Sequence, residues 1–148
     1  MFRILFVCHA NVCRSPICEF VMKELVKKKG LDDDFVIGSA GTDSDLGCDI
    51  WFASKRVMDA NGIPWESREA RTVTEWEYGR WDLFSVMDYE NLNDLRELFG
   101  GDPEGKVRLL RGKEIVSDPY CHGDFQRTYE EIDAACRSLL EEILRYFP

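Results

Sequence analysis

Between Arg3 and Val7 the chain runs Ile4, Leu5, Phe6, Val7 with no polar break. A strand with one wet face alternates, so an unbroken apolar run this short predicts a strand buried on both sides, with helices above and below its sheet. The pattern changes at Ser15. Pro16 suits a first helical position, and Ile17, Phe20, Val21 and Leu25 recur at helical spacing as far as Gly30. Phe35 to Ser39 predicts a second strand, followed by Ala40, Gly41, Thr42 and a polar loop to Gly47. Phe52 to Ala60 reads as a helix ended by Asn61-Gly62, Trp81 to Met87 as a third buried strand, and Asn91 to Phe99 as a helix stopped by Gly100-Gly101. Val107 to Leu110 is a short fourth strand. From Asp124 to Tyr146, a stripe of Ile132, Cys136, Leu139, Leu140, Ile143 and Phe147 predicts a final amphipathic helix.

Strands that alternate with helices over short connections predict an α/β fold, a three-layer sandwich whose central parallel four-stranded sheet carries helices on both faces. No repeat or linker interrupts the order, and 148 residues match a single domain, 1–148. Such sheets bind ligands outside the carboxyl ends of their strands, so the loop after the first strand is the first place to look.

Charge narrows the partners. A formal net charge of −9 repels nucleic acid and anionic membranes, and neither is an expected partner. Lys27, Lys28 and Lys29 form the one basic run, placed before Gly30 where they complement a helix C-terminus. The opening MFRILFVCHAN has one positive charge and turns polar too early for a signal or membrane segment, so a cytoplasmic location is expected. The six cysteines are then expected as reduced thiols. No CxxC pair is present and only His9 and His122 could add imidazole, so neither a metal nor another cofactor is expected.

Between the first strand and first helix stands Cys8-His9-Ala10-Asn11-Val12-Cys13-Arg14-Ser15. Five residues between a cysteine and an arginine can curl so that successive backbone N–H groups point into one hollow, while the helix behind aims its dipole there. An anion fits such a hollow, and a thiolate beneath it is stabilised by the same field, which makes Cys8 a candidate nucleophile. Arg14 supplies a planar fork for two phosphoryl oxygens, and Ser15 a hydroxyl for the sulfur when it leaves. Taken singly, a cysteine is more often a core residue and an arginine a surface charge. The position after a buried strand and before a helix start favours the chemistry. Such a nucleophile also needs an acid for the leaving oxygen and a base for water. Asp118-Pro119-Tyr120 is the candidate: proline stiffens the chain beyond Asp118, and Tyr120 offers an aromatic wall.

These residues together resemble the low-molecular-weight protein tyrosine phosphatases, over essentially the whole chain. VCHANVCRSP at Val7 to Pro16 is similar to the family's phosphate loop, DPY at Asp118 to Tyr120 to its acid loop, SAGT at Ser39 to Thr42 to its second-strand end, and WDLFSVMDYEN at Trp81 to Asn91 to its third strand and following turn. The resemblance implies a Rossmann-like phosphatase fold and hydrolysis of phosphotyrosine on proteins through a cysteinyl-phosphate. In that reading Cys8 is nucleophile, Arg14 phosphate binder, Asp118 general acid then base, and Asn11 with Ser39 a hydrogen-bond brace. His9, Ala10, Asn11, Val12 and Cys13 cradle the substrate, Tyr120 and Trp51 wall it, and the enzyme works as a monomer or weak dimer. It also implies a reversible disulfide between Cys8 and Cys13 under peroxide.

Some positions depart from the family pattern. Ala10 stands where glycine is usual, and an alanine forced to positive φ there would be strained by roughly 1 kcal/mol. Arg68 replaces a histidine of the brace, Ser44 replaces an aromatic, and Trp51 and Ala53 replace an Asp and an Arg, leaving Trp51 or Phe52 to rebuild the wall. Trp51 could equally be a core or interface aromatic. Three rivals remain. A thiol-dependent arsenate reductase would need a later cysteine pair, and no cysteine lies between Cys48 and Cys121. An arginine phosphatase tends to carry threonine where Val12 stands. A phosphate-binding module without turnover would have no use for Asp118.

Overall fold

The computed structural model describes residues 1–44 and 46–146. Its strands are β1 (Phe2–Cys8), β2 (Phe35–Gly41), β3 (Leu83–Val86) and β4 (Val107–Leu109), and its α-helices are α1 (Arg14–Lys28), α2 (Phe52–Ala60), α3 (Tyr89–Leu98), α4 (Pro119–His122) and α5 (Phe125–Tyr146). All strand pairs are parallel, in the order β2-β1-β3-β4.

The apolar run of β1 explains its central place. Ile4, Phe6 and Cys8 face one core with Ile17, Val21, Met58, Ile132, Cys136 and Leu140 from α1, α2 and α5. Leu5 and Val7 face the other core with Phe84, Val86, Leu92, Leu95 and Phe99 from β3 and α3. Ile4, Leu5, Phe6 and Val7 are all fully buried, as a strand between two helical layers requires. The chain leaves β1 for β2 on one side and then crosses to β3 on the other. The crevice at the end of β1 is therefore the topological switch point, where side chains from both halves of the sheet converge.

Element ends differ from the sequence reading in ways that bear on the site. α1 begins at Arg14 with Cys13 as its N-cap residue, so Pro16 occupies the third helical position and not the first. The helix therefore starts inside the cysteine loop and includes the arginine. α3 begins at Tyr89, two residues before Asn91, because Asp88 caps it: Asp88 Oδ1 accepts from Asn91 N at 2.9 Å, and Asn91 Oδ1 accepts from Asp88 N at 3.3 Å. Asp118-Pro119-Tyr120 opens a single helical turn, α4, where an open loop was expected. The short 3-10 turns Asp32–Asp34 and Glu75–Gly79 carry no long apolar pattern and leave no periodic trace in the sequence. Phe147, expected at the end of the final stripe, lies outside the described residues. Among the described residues no helix is long and apolar enough to cross a membrane.

Candidate active site

A cleft of about 450 Å³ opens at the carboxyl end of β1, lined by Cys8 to Ala10, Val12 to Arg14, Asp43, Ser44, Trp51, Asp118 and Tyr120. Four segments far apart in sequence meet there, and the sequence reading had placed residues of three of them in the site, all but Asp43-Ser44.

The floor is the loop after β1, and its form follows from where its carbonyls go. Cys8 O accepts from Thr42 N at 3.0 Å, His9 O from Asp43 N at 3.0 Å, and Val12 O from Trp51 N at 2.9 Å. Cys13 O accepts from Ser54 Oγ at 3.2 Å, and Asn11 O accepts from the Arg68 guanidinium. A planar trans peptide puts each C=O opposite the next residue's N–H. With those five carbonyls held by the surrounding scaffold, the amides of His9, Ala10, Val12, Cys13 and Arg14 are turned the other way, toward the cleft their residues line. The first turn of α1 adds N–H groups with no partner inside the helix, and its positive dipole end. The result is an anion cradle.

Asn11 faces away from the cleft. It is 1% exposed and holds φ at +62°, a left-handed conformation that asparagine tolerates better than alanine. Its Oδ1 accepts from Arg71 N at 3.1 Å, which fixes the amide orientation, so Nδ2 donates to Ser15 Oγ at 2.8 Å and Ser39 Oγ at 3.1 Å. Ser39 Oγ in turn donates to Glu19 Oε1 at 2.6 Å. Asn11 therefore braces the loop from behind and does not line the cleft as a substrate-binding side chain would. The left-handed residue of the loop is Asn11 and not Ala10, so the strain expected at Ala10 does not arise.

Cys8 is 3% exposed at the base of the cradle. Asn11 N donates to its sulfur at 3.3 Å, and Ser15 Oγ lies 3.0 Å from it. Because Ser15 Oγ already accepts from Asn11 Nδ2, its proton is free to point at the sulfur. Two donors thus converge on Cys8 Sγ. Cys13 has the opposite setting: burial, then the negative charges of Cys8 and Asp118, push its thiol up to about 12, so it stays protonated.

Arg14 is buried, not a surface charge. Its Nη1 donates to Asp88 Oδ2 at 2.8 Å and to Val116 O at 2.7 Å, clamping the fork between the ends of β3 and the segment leading to α4. Burial alone would lower its pKa, but Cys8 and Asp88 more than offset this and raise it, so the guanidinium is a fixed cation. Asp88 escaped the sequence reading. The available signal was its place just past a parallel strand, where side chains face the switch-point crevice.

The wall is built from the start of α2 and the turn α4. Trp51 packs edge-on against Tyr120 with ring centroids 5.8 Å apart and lies 5.0 Å from the Phe52 ring. Trp51 is 39% exposed and Tyr120 69%, so this pair is a rim of the cleft and not core. Asp49 ties the Trp51 loop down: its carboxylate accepts from Lys55 Nζ at 2.7 Å, Ser67 Oγ at 2.9 Å and Arg68 N at 3.1 Å. These bonds, led by Lys55, hold its carboxyl well below the usual carboxylate range. Asp118 stands over the cradle at the start of α4, its Oδ1 accepting from Tyr120 N at 3.1 Å. His9 is exposed at the mouth, 3.9 Å from Glu90. All six cysteines are free thiols, and among the described residues no group of three or more His, Cys, Asp or Glu could hold a metal ion.

Comparison with known proteins places this arrangement. The profile of the low molecular weight phosphotyrosine protein phosphatases matches residues 3–146. The low molecular weight protein-tyrosine-phosphatase YfkJ of Bacillus subtilis is 33% identical, over 97% of this chain and 96% of its own length. Its crystal structure superposes with a TM-score of 0.95, covering 100% of this chain and 98% of that one. The human low molecular weight phosphotyrosine protein phosphatase is 32% identical over 94% of each chain. A protein tyrosine phosphatase from Entamoeba histolytica, crystallised with Hepes in its active site, superposes with a TM-score of 0.91 at 25% identity over 98% of each chain.

Proposed function

The chain belongs to the low molecular weight phosphotyrosine protein phosphatase family, and from that premise we propose that it hydrolyses phosphotyrosine on proteins through a cysteinyl-phosphate at Cys8. The observation that carries this reading is the cradle itself. The Cys8 sulfur receives two donors beneath a ring of amides turned inward by five outward-tied carbonyls.

In the first step the Cys8 thiolate attacks phosphorus, the bond to the tyrosyl oxygen breaks, and Asp118 gives its proton to that oxygen. Arg14, with Nη1 held by Asp88 and Val116, offers Nε and Nη2 to two phosphoryl oxygens. That contact tightens as the group flattens toward its transition state, and so it accelerates the reaction where uniform binding would not. In the second step Asp118, now a carboxylate, takes a proton from water whose oxygen attacks phosphorus. The S–P bond breaks, the Ser15 hydroxyl steadies the departing thiolate, and inorganic phosphate leaves. No cofactor enters either step. Trp51 and Tyr120 flank the cleft that would receive the phenyl ring of the substrate. Turnover in the cytoplasm, where Cys8 stays reduced, fits a chemistry that needs a thiolate.

The decisive measurement is turnover of 4-nitrophenyl phosphate and of phosphotyrosine peptides by wild type and by Cys8→Ser. Wild type should turn over both, prefer phosphotyrosine to phosphoarginine peptides, and lose all turnover with Cys8→Ser. Phosphate binding without turnover by wild type would make the cradle a binding module instead. Asp118→Ala should slow phenyl phosphate cleavage by about two to four orders of magnitude while phosphate still inhibits at the wild-type concentration. An unchanged rate would remove Asp118 from its role.

A further inference from the structure

The acid of the proposed reaction sits on a scaffold that should not be rigid by itself. α4 is a single turn, closed by Cys121 N to Asp118 O at 3.0 Å and Gly123 N to Pro119 O at 2.7 Å. One turn of helix orders several residues for few hydrogen bonds and has little stability alone. Yet a general acid must be held to within a fraction of an ångström of its oxygen.

The His122 imidazole supplies the missing restraint. Its Nδ1 accepts from Asp124 N at 3.0 Å, and its Nε2 lies 3.0 Å from Ser117 Oγ. A backbone N–H can only donate, so Nδ1 is bare, and the proton of the neutral ring is on Nε2, pointing at Ser117. The ring thus bridges the residue just before Asp118 and a residue beyond the turn, enclosing the acid between two anchored ends. Both ends are firm. Asp124 starts the 22-residue α5, accepting from Arg127 N at 3.0 Å through Oδ1 and from Thr128 N at 3.2 Å through its carbonyl. Thr128 is fully buried. Ser117 follows Val116, whose N–H donates to Met87 O at 2.8 Å and whose carbonyl accepts from Arg14. Asp118 itself spends Oδ1 on Tyr120 N, which leaves Oδ2 for the proton in transit.

We propose that His122 is a positioning residue for Asp118, holding the one-turn helix that carries the acid by bridging Ser117 to the start of α5. The proposal rests on the role given to Asp118 above. Because leaving-group protonation matters most for a basic oxygen, the test compares leaving groups. His122→Ala should lower kcat/KM for phenyl phosphate roughly ten- to hundredfold. For 2,4-dinitrophenyl phosphate, whose phenolate leaves without help, the loss should stay within about threefold. Inhibition by inorganic phosphate should be unchanged. His122→Asn, which keeps an acceptor for Asp124 N, should recover much of the loss. In an Asp118→Ala background, His122→Ala should cost nothing further. No loss with phenyl phosphate, equal losses on both substrates, or an additive loss in the double variant would overturn the proposal. If Asp118→Ala alone leaves phenyl phosphate cleavage unchanged, the acid assignment has failed, and this proposal with it.

Discussion

Asn11 shows how much one side chain carries here. Its side chain donates to Ser15 and Ser39 and accepts from Arg71 N, its backbone N–H donates to the Cys8 sulfur, and its backbone is left-handed. Asn11→Ala leaves buried partners unsatisfied and forces alanine to positive φ, whereas Asn11→Gly loses the same bonds without that strain. Urea unfolding should show a loss of about 3 kcal/mol for the alanine variant and a loss about 1 kcal/mol smaller for the glycine variant. Equal losses would show that φ is not under strain. The two loop cysteines differ as sharply. Because burial and the charges of Cys8 and Asp118 push Cys13 up to about 12, it remains a thiol at neutral pH. Iodoacetamide at pH 7 should therefore alkylate Cys8 with loss of activity, while the peptide mass of Cys13 stays unmodified. Exposed Cys48 and Cys121 should react without that loss. Alkylation of Cys13 in the native protein would contradict its being held as a thiol. Ala10 and Asn11 also mark the limit of reading by pattern. The loop sequence announces that some residue turns left-handed, but which one depends on where the scaffold holds the carbonyls.

Among elements, the tightest junction is between the end of β2 and the cysteine loop. Cys8 and Gly41 are paired in the parallel ladder, and Gly41 bonds Arg71 O and Val73 N on its other side. A Cβ on Gly41 would stand 2.5 Å from His9 O and 3.2 Å from the Ala10 carbonyl carbon, both backbone atoms with no flexible side chain to yield. This close approach, and not a positive φ, is why glycine stands here. Gly41→Ala should displace the cradle and lower kcat/KM by roughly ten- to hundredfold, with weaker phosphate inhibition. Wild-type kinetics with the alanine would mean the loop can give way at no cost. The elements themselves were legible where apolar spacing was long and regular, as in β1, α1 and α5. α4 was not, because a four-residue turn has no period to display, and the start of α3 was hidden in the cap that Asp88 forms with Asn91.

Across the whole molecule, the site is a meeting of both halves of the sheet, and Asp49 illustrates how distant parts are tied. It joins the loop before α2 to Ser67 and Arg68, whose guanidinium in turn holds the Asn11 carbonyl. Its carboxyl is held low in the folded chain, first by Lys55, so folding favours the ionised form. Its contribution is therefore complete above the unfolded pKa of about 4 and fades as pH falls below it. Asp49→Asn should lower the urea midpoint at pH 7, and the gap to wild type should shrink steadily as pH drops below about 4. A gap that is constant with pH would mean the carboxylate charge contributes nothing.

What could be read along the chain is local and periodic. A fully apolar strand, a five-residue gap from Cys8 to Arg14 and a helix start behind them point to an anion-binding turn at the carboxyl end of a central strand, because such a short gap curls its amides toward one hollow. What depends on residues remote in the chain emerged with the folded arrangement. Arg14 is aimed by Asp88 and Val116, Asn11 is held by Arg68 and Arg71, and Trp51 meets Tyr120. Hydrogen bonds and packing act over a few ångströms of space, whatever the distance along the chain, and no spacing in the sequence records that proximity.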